Sequence, residues 1–391
     1  MKMNCKIFSL FLSTTAALAT CLASARSSDI SVVRVPNGGI QPQAVVDGTG
    51  IVHLLYYLGD PMQGDLFYVK SSDQGTSWSA ALRVNTESGT AIATGTIRGG
   101  QIALGKNGRI HVAWNGSSAG KSGPLNPESG QRGAPMFYSR LNDARSAFEP
   151  ARSLMTRTFG LDGGGTVAAD SAGNVYVSWH GKGPGAKQGE AGRQVWVAES
   201  HDDGKTFAAE HPAWDQPTGA CGCCGMAMFA DTKGTVLALY RSATENVHRD
   251  IYQLTSFDRA RSFQGRKLHR WEINACPMSS MAFAEAAGKV EGAWETGGQV
   301  YFADLTKAGA VPVSAPKESE GRKHPRIAIG PGGETLMVWT EGTGWARGGS
   351  LAWQLYDPNG KAIGEKGTAT DIPTWSFGAV VTKPDGFIVL Y

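Results

Sequence analysis

Residues 101–114 read QIALGKNGRIHVAW: a short apolar stretch, a turn with two glycines, and a second apolar run ending on tryptophan. The outline returns as QAVVDGTGIVHLLYY (43–57), TVAADSAGNVYVSW (166–179) and MAMFADTKGTVLALY (226–240). It continues as MAFAEAAGKVEGAW (281–294), RIAIGPGGETLMVW (326–339) and GAVVTKPDGFIVLY (378–391). Each copy is a hairpin signal, with apolar strand residues on both sides of a Gly-containing turn. Seven copies at intervals of about 45 to 65 residues have the period of a propeller, in which each repeat is one blade. The Trp residues that end the second strands (Trp114, Trp179, Trp294, Trp339) recur in register, which predicts core packing over ligand stacking.

Between the hairpins come further strands joined by SSDQGTSW (71–78), SHDDGKTF (200–207) and SFDRARSF (256–263), with a degenerate version in SRLNDARSAF (139–148). In such turns Asp73, Asp202 and Asp258 accept backbone N–H bonds, and Trp78, Phe207 and Phe263 plug the turn into the blade. On these motifs, most of residues 30–391 resembles the sialidase-like Asp-box (BNR-repeat) β-propellers. That resemblance implies six blades, whereas the hairpin count gives seven. The expected fold is all-β: a single propeller over 26–391 with four-stranded blades, seven favoured and six the alternative. SDISVVRV (28–35) resembles SWSAALRV (77–84), a fourth strand, and predicts ring closure by the N-terminus joining the last hairpin.

Residues 1–25 read as a signal peptide: a basic start, the apolar IFSLFLSTTAAL, and Ala23-Ser24-Ala25 before the cleavage point. A lipid anchor on Cys21 is the weaker reading, because Thr20 stands where a smaller residue is wanted. A periplasmic or secreted location follows. Loss of Lys2 and Lys6 from 37 basic residues leaves 35 against 34 acidic ones. That balance gives no electrostatic case for nucleic acid or an anionic membrane. No later apolar run is long enough to span a bilayer. Oligomeric state stays open.

In a four-stranded blade, the start of strand one and the end of strand two share a face, opposite the Asp-containing turns. The longer loops, NGSSAGKSGPLNPESGQRGAP (115–135) and HGKGPGAKQGEAGR (180–193), lie on the former face, where function more often sits. Residues before strand one include Arg98, Asp162, Cys221, Cys223, Cys224, Cys276, Met278, His324 and Arg326; Asn115, His180, Arg241 and Glu295 follow strand two. Sialidase chemistry, by resemblance, needs three arginines on a carboxylate, an acid, and a tyrosine activated by a glutamate. Arg98, Arg241 and Arg326 supply a candidate clamp, Asp162 a candidate acid and Glu295 a supporting carboxylate. No tyrosine is placed as nucleophile. His180 is a further candidate ligand-binding residue. Structural ion pairing is the competing reading for all these charges.

The remaining cysteines meet an oxidising compartment. Cys221, Cys223 and Cys224 precede the fourth hairpin and Cys276 the fifth, so neighbouring blades bring them together. ACGCC (220–224), RDIY (249–252) and NACP (274–277) also resemble an uncharacterised group of secreted bacterial sialidase-like propellers in which the cysteines recur. Members of that group carry histidine after the Cys-Pro, where this chain has Met278. One or two disulfides are the first expectation: a bridge from the triplet to Cys276, and a second that needs adjacent or near-adjacent cysteines and is strained. A soft-metal site, copper(I) or less suitably zinc, with Met278 and His324 or His248 as further ligands, is the second, and a redox-active thiol pair the third. Arg249 and Asp250 lie nearby, with a loop-closing salt bridge as their simplest role. The expected function is binding of a small-molecule or glycan-like ligand on this face. The alternatives are an exo-acting sialidase-type glycosidase on acidic sugars, and a copper-binding or protein-interaction propeller.

Overall fold

The structure is a computed structural model that describes residues 28–117, 123–127, 129–317 and 321–391 together with Met1. The rest of the expected leader lies outside the described residues, as does part of the 115–135 loop. Seven sheets surround one axis, six of four strands and one of three. Their innermost strands are Ile40–Val46, Gln101–Leu104, Thr166–Ala169, Ala227–Ala230, Ala282–Ala286, Arg322–Ile329 and Ala379–Lys383. Each begins a hairpin recognised in the sequence. Seven blades is therefore the count, and six is set aside. No helix among the described residues is long and apolar enough to cross a membrane.

The core lies between blades. Seven apolar clusters each join residues of two adjacent blades, so the ring is packed all the way round. This explains the unalternating second strands, since Ile110–Asn115 and Val236–Arg241 are buried along their whole length. Trp114, Trp179, Trp294 and Trp339 sit in these interfaces with no more than 1% of their surface exposed, as packing residues. Outer strands face water on one side, and Gln264–His269 is partly exposed throughout.

Closure follows the expected partners with a different strand count. The N-terminal strand Asp29–Val33 pairs in parallel with Gly386–Leu390, with Asp29 opposite Gly386 and Val33 opposite Leu390. It runs in the sense of a fourth strand and, like one, leads into the next blade. Strand two of the last blade, Gly386–Leu390, pairs directly with the N-terminal strand, and the last blade is a sheet of three strands. The Tyr391 amide donates to the Val33 carbonyl at 3.1 Å and Val35 returns a bond to Tyr391 at 2.8 Å, sealing the ring.

The three Ser-x-Asp turns close alike. Ser71 donates its hydroxyl to Asp73 at 2.7 Å, and Asp73 accepts the Ser77 amide at 2.9 Å and hydroxyl at 2.6 Å. Asp202 with Thr206, and Asp258 with Ser262, repeat the pattern. In the third turn Ala260 holds the left-handed conformation (φ +66°) that Gly75 and Gly204 hold in the others. These turns lie on the face away from the cysteines.

Candidate thiol site at the channel mouth

Cys221 to Cys224 form one tight turn. The Cys224 amide donates to the Cys221 carbonyl at 3.3 Å, which folds three side chains to one side. The Cys221 sulfur lies 3.3 Å from that of Cys223 and 3.4 Å from that of Cys224. All three sulfurs fall within 4.8 Å of one another, with Cys221 and Cys224 buried and Cys223 partly so. The turn is anchored at both ends: the Cys221 amide donates to the Arg241 carbonyl and the Gly225 amide to Ser279, both at 2.9 Å. Gly222 packs under the rim side chains, since a Cβ there would meet Arg193 Nη1 at 2.5 Å and Asp162 Oδ2 at 2.8 Å and these two side-chain ends would have to move aside.

The expected bridge from the triplet to Cys276 is not made. All four described cysteines are free, and Cys276 is exposed and outside the cluster. Blade five reaches the triplet through the Ser279 carbonyl instead, which leaves the Cys276 thiol in solvent. His324 does not join the sulfurs either. Met278 lines a crevice with His324, Lys323 and Trp345. His324 is buried with Nδ1 3.2 Å from the Ser280 hydroxyl and its ring near Phe377. Burial, with Arg326 and Lys323 beside it, pushes its pKa down to about 3. His248 faces Glu272 and Glu245 at the surface.

Positive charge surrounds the sulfurs. Burial opposes ionisation of Cys224, yet the Cys221 and Cys223 thiols and the Arg241 charge together hold it well below the usual thiol range. The Cys223 thiol is pushed up by its contacts with Cys221 and Cys224 and by burial. Arg249, whose charge is opposed by burial and supported by Cys221 and Glu190, also interacts with the cluster. Its Nη1 lies 2.6 Å from Glu190 Oε2, while its Nε has no acceptor. Glu190 also accepts the Gly222 amide at 2.8 Å, so it braces the turn and orients Arg249 together.

Arg241 and Glu295, at the ends of second strands in blades four and five, meet at 2.9 Å in near-complete burial. Arg241 also donates to the Arg249 carbonyl at 2.9 Å and covers the Trp271 ring. Burial pushes the Glu295 carboxyl up against the opposing Arg241 charge. At the rim, Arg98 holds Asp162 at 2.5 Å and donates to its carbonyl at 2.7 Å, with Arg193 4.0 Å from the carboxylate. Asn115 donates to the same carbonyl at 3.2 Å. His180 is buried, its Nε2 3.2 Å from the Cys224 carbonyl and its Nδ1 without a partner. Arg326 has no carboxylate at all among the described residues; its Nη1 donates to the Ser280 hydroxyl at 3.0 Å and to two carbonyls.

The predicted residues thus gather at one mouth in two sets. Cys221, Cys223, Cys224, Arg241, Glu295 and His180 pack together, with Arg98 and Asp162 at the rim, while Cys276 stands outside the cluster. Arg98 and Arg241 are each occupied by a carboxylate, so the three arginines do not present an open clamp. Glu190 and Arg193 went unrecognised, and Arg249 was read only as a loop salt bridge. The long 180–193 loop pointed to the right region, but nothing in it singled out these two side chains.

Fold and site together define a seven-bladed propeller of the sialidase-like architecture with a thiol cluster at its channel mouth. No family model matches the chain, and no curated protein is similar to it in sequence. Solved structures share its fold. A protein of unknown function from Dyadobacter fermentans is 14% identical, covering 89% of this chain and 98% of that one with a TM-score of 0.52. The intramolecular trans-sialidase of Ruminococcus gnavus, in complex with oseltamivir carboxylate, is 10% identical over 83% of this chain and 95% of that one, TM-score 0.54. The Penicillium chrysogenum alpha-L-arabinanase complexed with arabinobiose is 13% identical over the same shares, TM-score 0.53. The fold is that of sialidase- and arabinanase-type propellers.

Proposed function

We propose that this protein is an exported propeller, periplasmic or secreted, that binds a thiophilic metal ion through Cys221, Cys223 and Cys224, with copper(I) the best chemical match. One observation carries this reading: three unbridged cysteine sulfurs converge in a single turn at 3.3 and 3.4 Å, in a largely buried site. Thiolate sulfur selects soft ions. Zinc in a closed site asks for a fourth protein ligand; among the described residues no His, Asp, Glu or further Cys joins the group, which favours an ion content with three. Arg241 and Arg249 offset the charge of the thiolates. The small ligand expected at this face is, on this reading, the ion itself.

Titration of the reduced protein with copper(I), followed by competition with a chromophoric chelator, tests the proposal. One ion retained per chain, with loss of three titratable thiols, is expected. Failure to retain copper while those thiols are free sinks it, and so does a disulfide within the triplet of protein purified without reductant. The sialidase-type alternative draws support from the fold alone. Asp162 and Glu295 are each held by an arginine, which suits structural roles. Release of a fluorescent sialoside reporter, abolished in Asp162→Asn, would restore that alternative.

A further inference from the structure

The inner strands enclose an axial channel of about 350 Å³. Its lining is mostly alanine, valine, methionine and phenylalanine, and Arg326 is the single charged residue in it. That arginine is 8% exposed, with its guanidinium 4.5 Å above the Phe377 ring. Nη1 is fully used by Ser280, Met281 and Pro325, while Nε is buried without an acceptor and Nη2 has no hydrogen bond to a described residue. Those two nitrogens form one edge of the guanidinium, the edge that presents two parallel N–H bonds to a carboxylate or phosphate. A second unpaired donor belongs to a residue of the same lining: the buried Nε2 of Gln43, on the inner strand of blade one, also lacks an acceptor.

A buried cation with no counter-charge is costly, and so is each unpaired buried donor. Arg326 has neither an acid beside it nor one elsewhere in the channel lining, and burial lowers its pKa to about 10. We propose that the channel holds a small oxyanion, a carboxylate or phosphate, seated on the Nε/Nη2 edge of Arg326 with the Gln43 amide as a further donor. The site is separate from the cysteines and uses one arginine, since Arg98 and Arg241 are occupied by Asp162 and Glu295. Its ligand neutralises the axis of the ring, so anion binding and ring stability are linked.

The test is thermal unfolding of the whole protein in sodium acetate, sodium phosphate and sodium chloride at matched ionic strength, for the wild type, Arg326→Met and Gln43→Leu. In the wild type a saturable rise of about 2–4 °C above chloride is expected. Acetate alone raising Tm identifies a carboxylate ligand, phosphate alone a phosphate, and both a general oxyanion. Arg326→Met removes the charge, so it loses the response while its Tm in chloride stays level or rises. Gln43→Leu keeps the response with a midpoint shifted several-fold upward, and this serves even where Arg326→Met folds poorly. An equal response in wild type and both variants, which is the general salting effect, overturns the proposal. So does a wild type indifferent to acetate and phosphate.

Discussion

Arg241 and Glu295 meet at 2.9 Å with only 1% and 2% of their side chains exposed, joining blades four and five beside the thiol cluster. The pair is worth little against an apolar replacement, yet breaking it strands one buried charge. Arg241→Ala is therefore expected to cost about 3–5 kcal/mol in urea unfolding. The double change Arg241→Met with Glu295→Leu should recover most of that loss. A single-mutant cost below about 1 kcal/mol would show that water reaches the pair.

Cys224→Ser removes a buried sulfur that lies 3.4 Å from that of Cys221 and feels the Arg241 charge. Copper(I) affinity should fall by more than the roughly 10–100-fold that follows loss of a supporting residue. Cys276→Ser should leave it unchanged, because Cys276 is exposed and outside the cluster. In the metal-free native protein, Cys276 should be the first thiol to react with a disulfide reagent, with Cys221 and Cys224 the slowest.

The Ser-x-Asp turns predict an acid limb. Asp73, Asp202 and Asp258 are each lowered from 3.8 to about 2. For Asp73 and Asp258 the Ser77 and Ser262 hydroxyls act first; for Asp202 burial pushes upward, and the Thr206 hydroxyl and amide outweigh it. A folded pKa below the unfolded one means stability present above pH 3.8 and lost as pH falls toward 2. Tm measured from pH 6 to pH 2 should drop chiefly below about pH 4. Replacing all three by asparagine should flatten that limb and lower Tm at neutral pH.

Ring closure has a single tight point. A Cβ on Gly386 would lie 2.0 Å from the Asp29 carbonyl oxygen and 2.6 Å from its nitrogen, both backbone atoms that have no rotamer to escape by. Gly386→Ala should cost about 1–3 kcal/mol. Limited proteolysis should then cut first near residues 28–35, where the released strand would become a substrate. Unchanged proteolysis would place the weak point of the ring elsewhere.

Much of this architecture was legible because the signals are local. A hairpin needs only its turn and two apolar runs, so all seven were readable from stretches such as 101–114. The mouth residues were readable one step further, because strand direction puts the starts of first strands and the ends of second strands together. The three-stranded make-up of the last blade was not legible, because the direct pairing of residues 29–33 with 386–390 joins the two ends of the ring. Side-chain pairing was less legible. Gly222 takes Glu190 from 32 residues away, and Arg98 takes Asp162 from 64 away. Such choices depend on loop paths that no periodicity encodes.

By itself, the sequence determined the blade repeat, the buried tryptophans, the Ser-x-Asp turns and the face on which three cysteines would stand. These follow from short-range patterns of polarity and turn chemistry. Only the tertiary structure decided that the triplet turns its sulfurs toward one another and away from Cys276. It also decided that two arginines are consumed by carboxylates while Arg326 has none beside it among the described residues. The reason is physical: covalent and ionic partners are chosen by distances of a few ångströms between segments from different blades, and those distances exist only once the ring has closed.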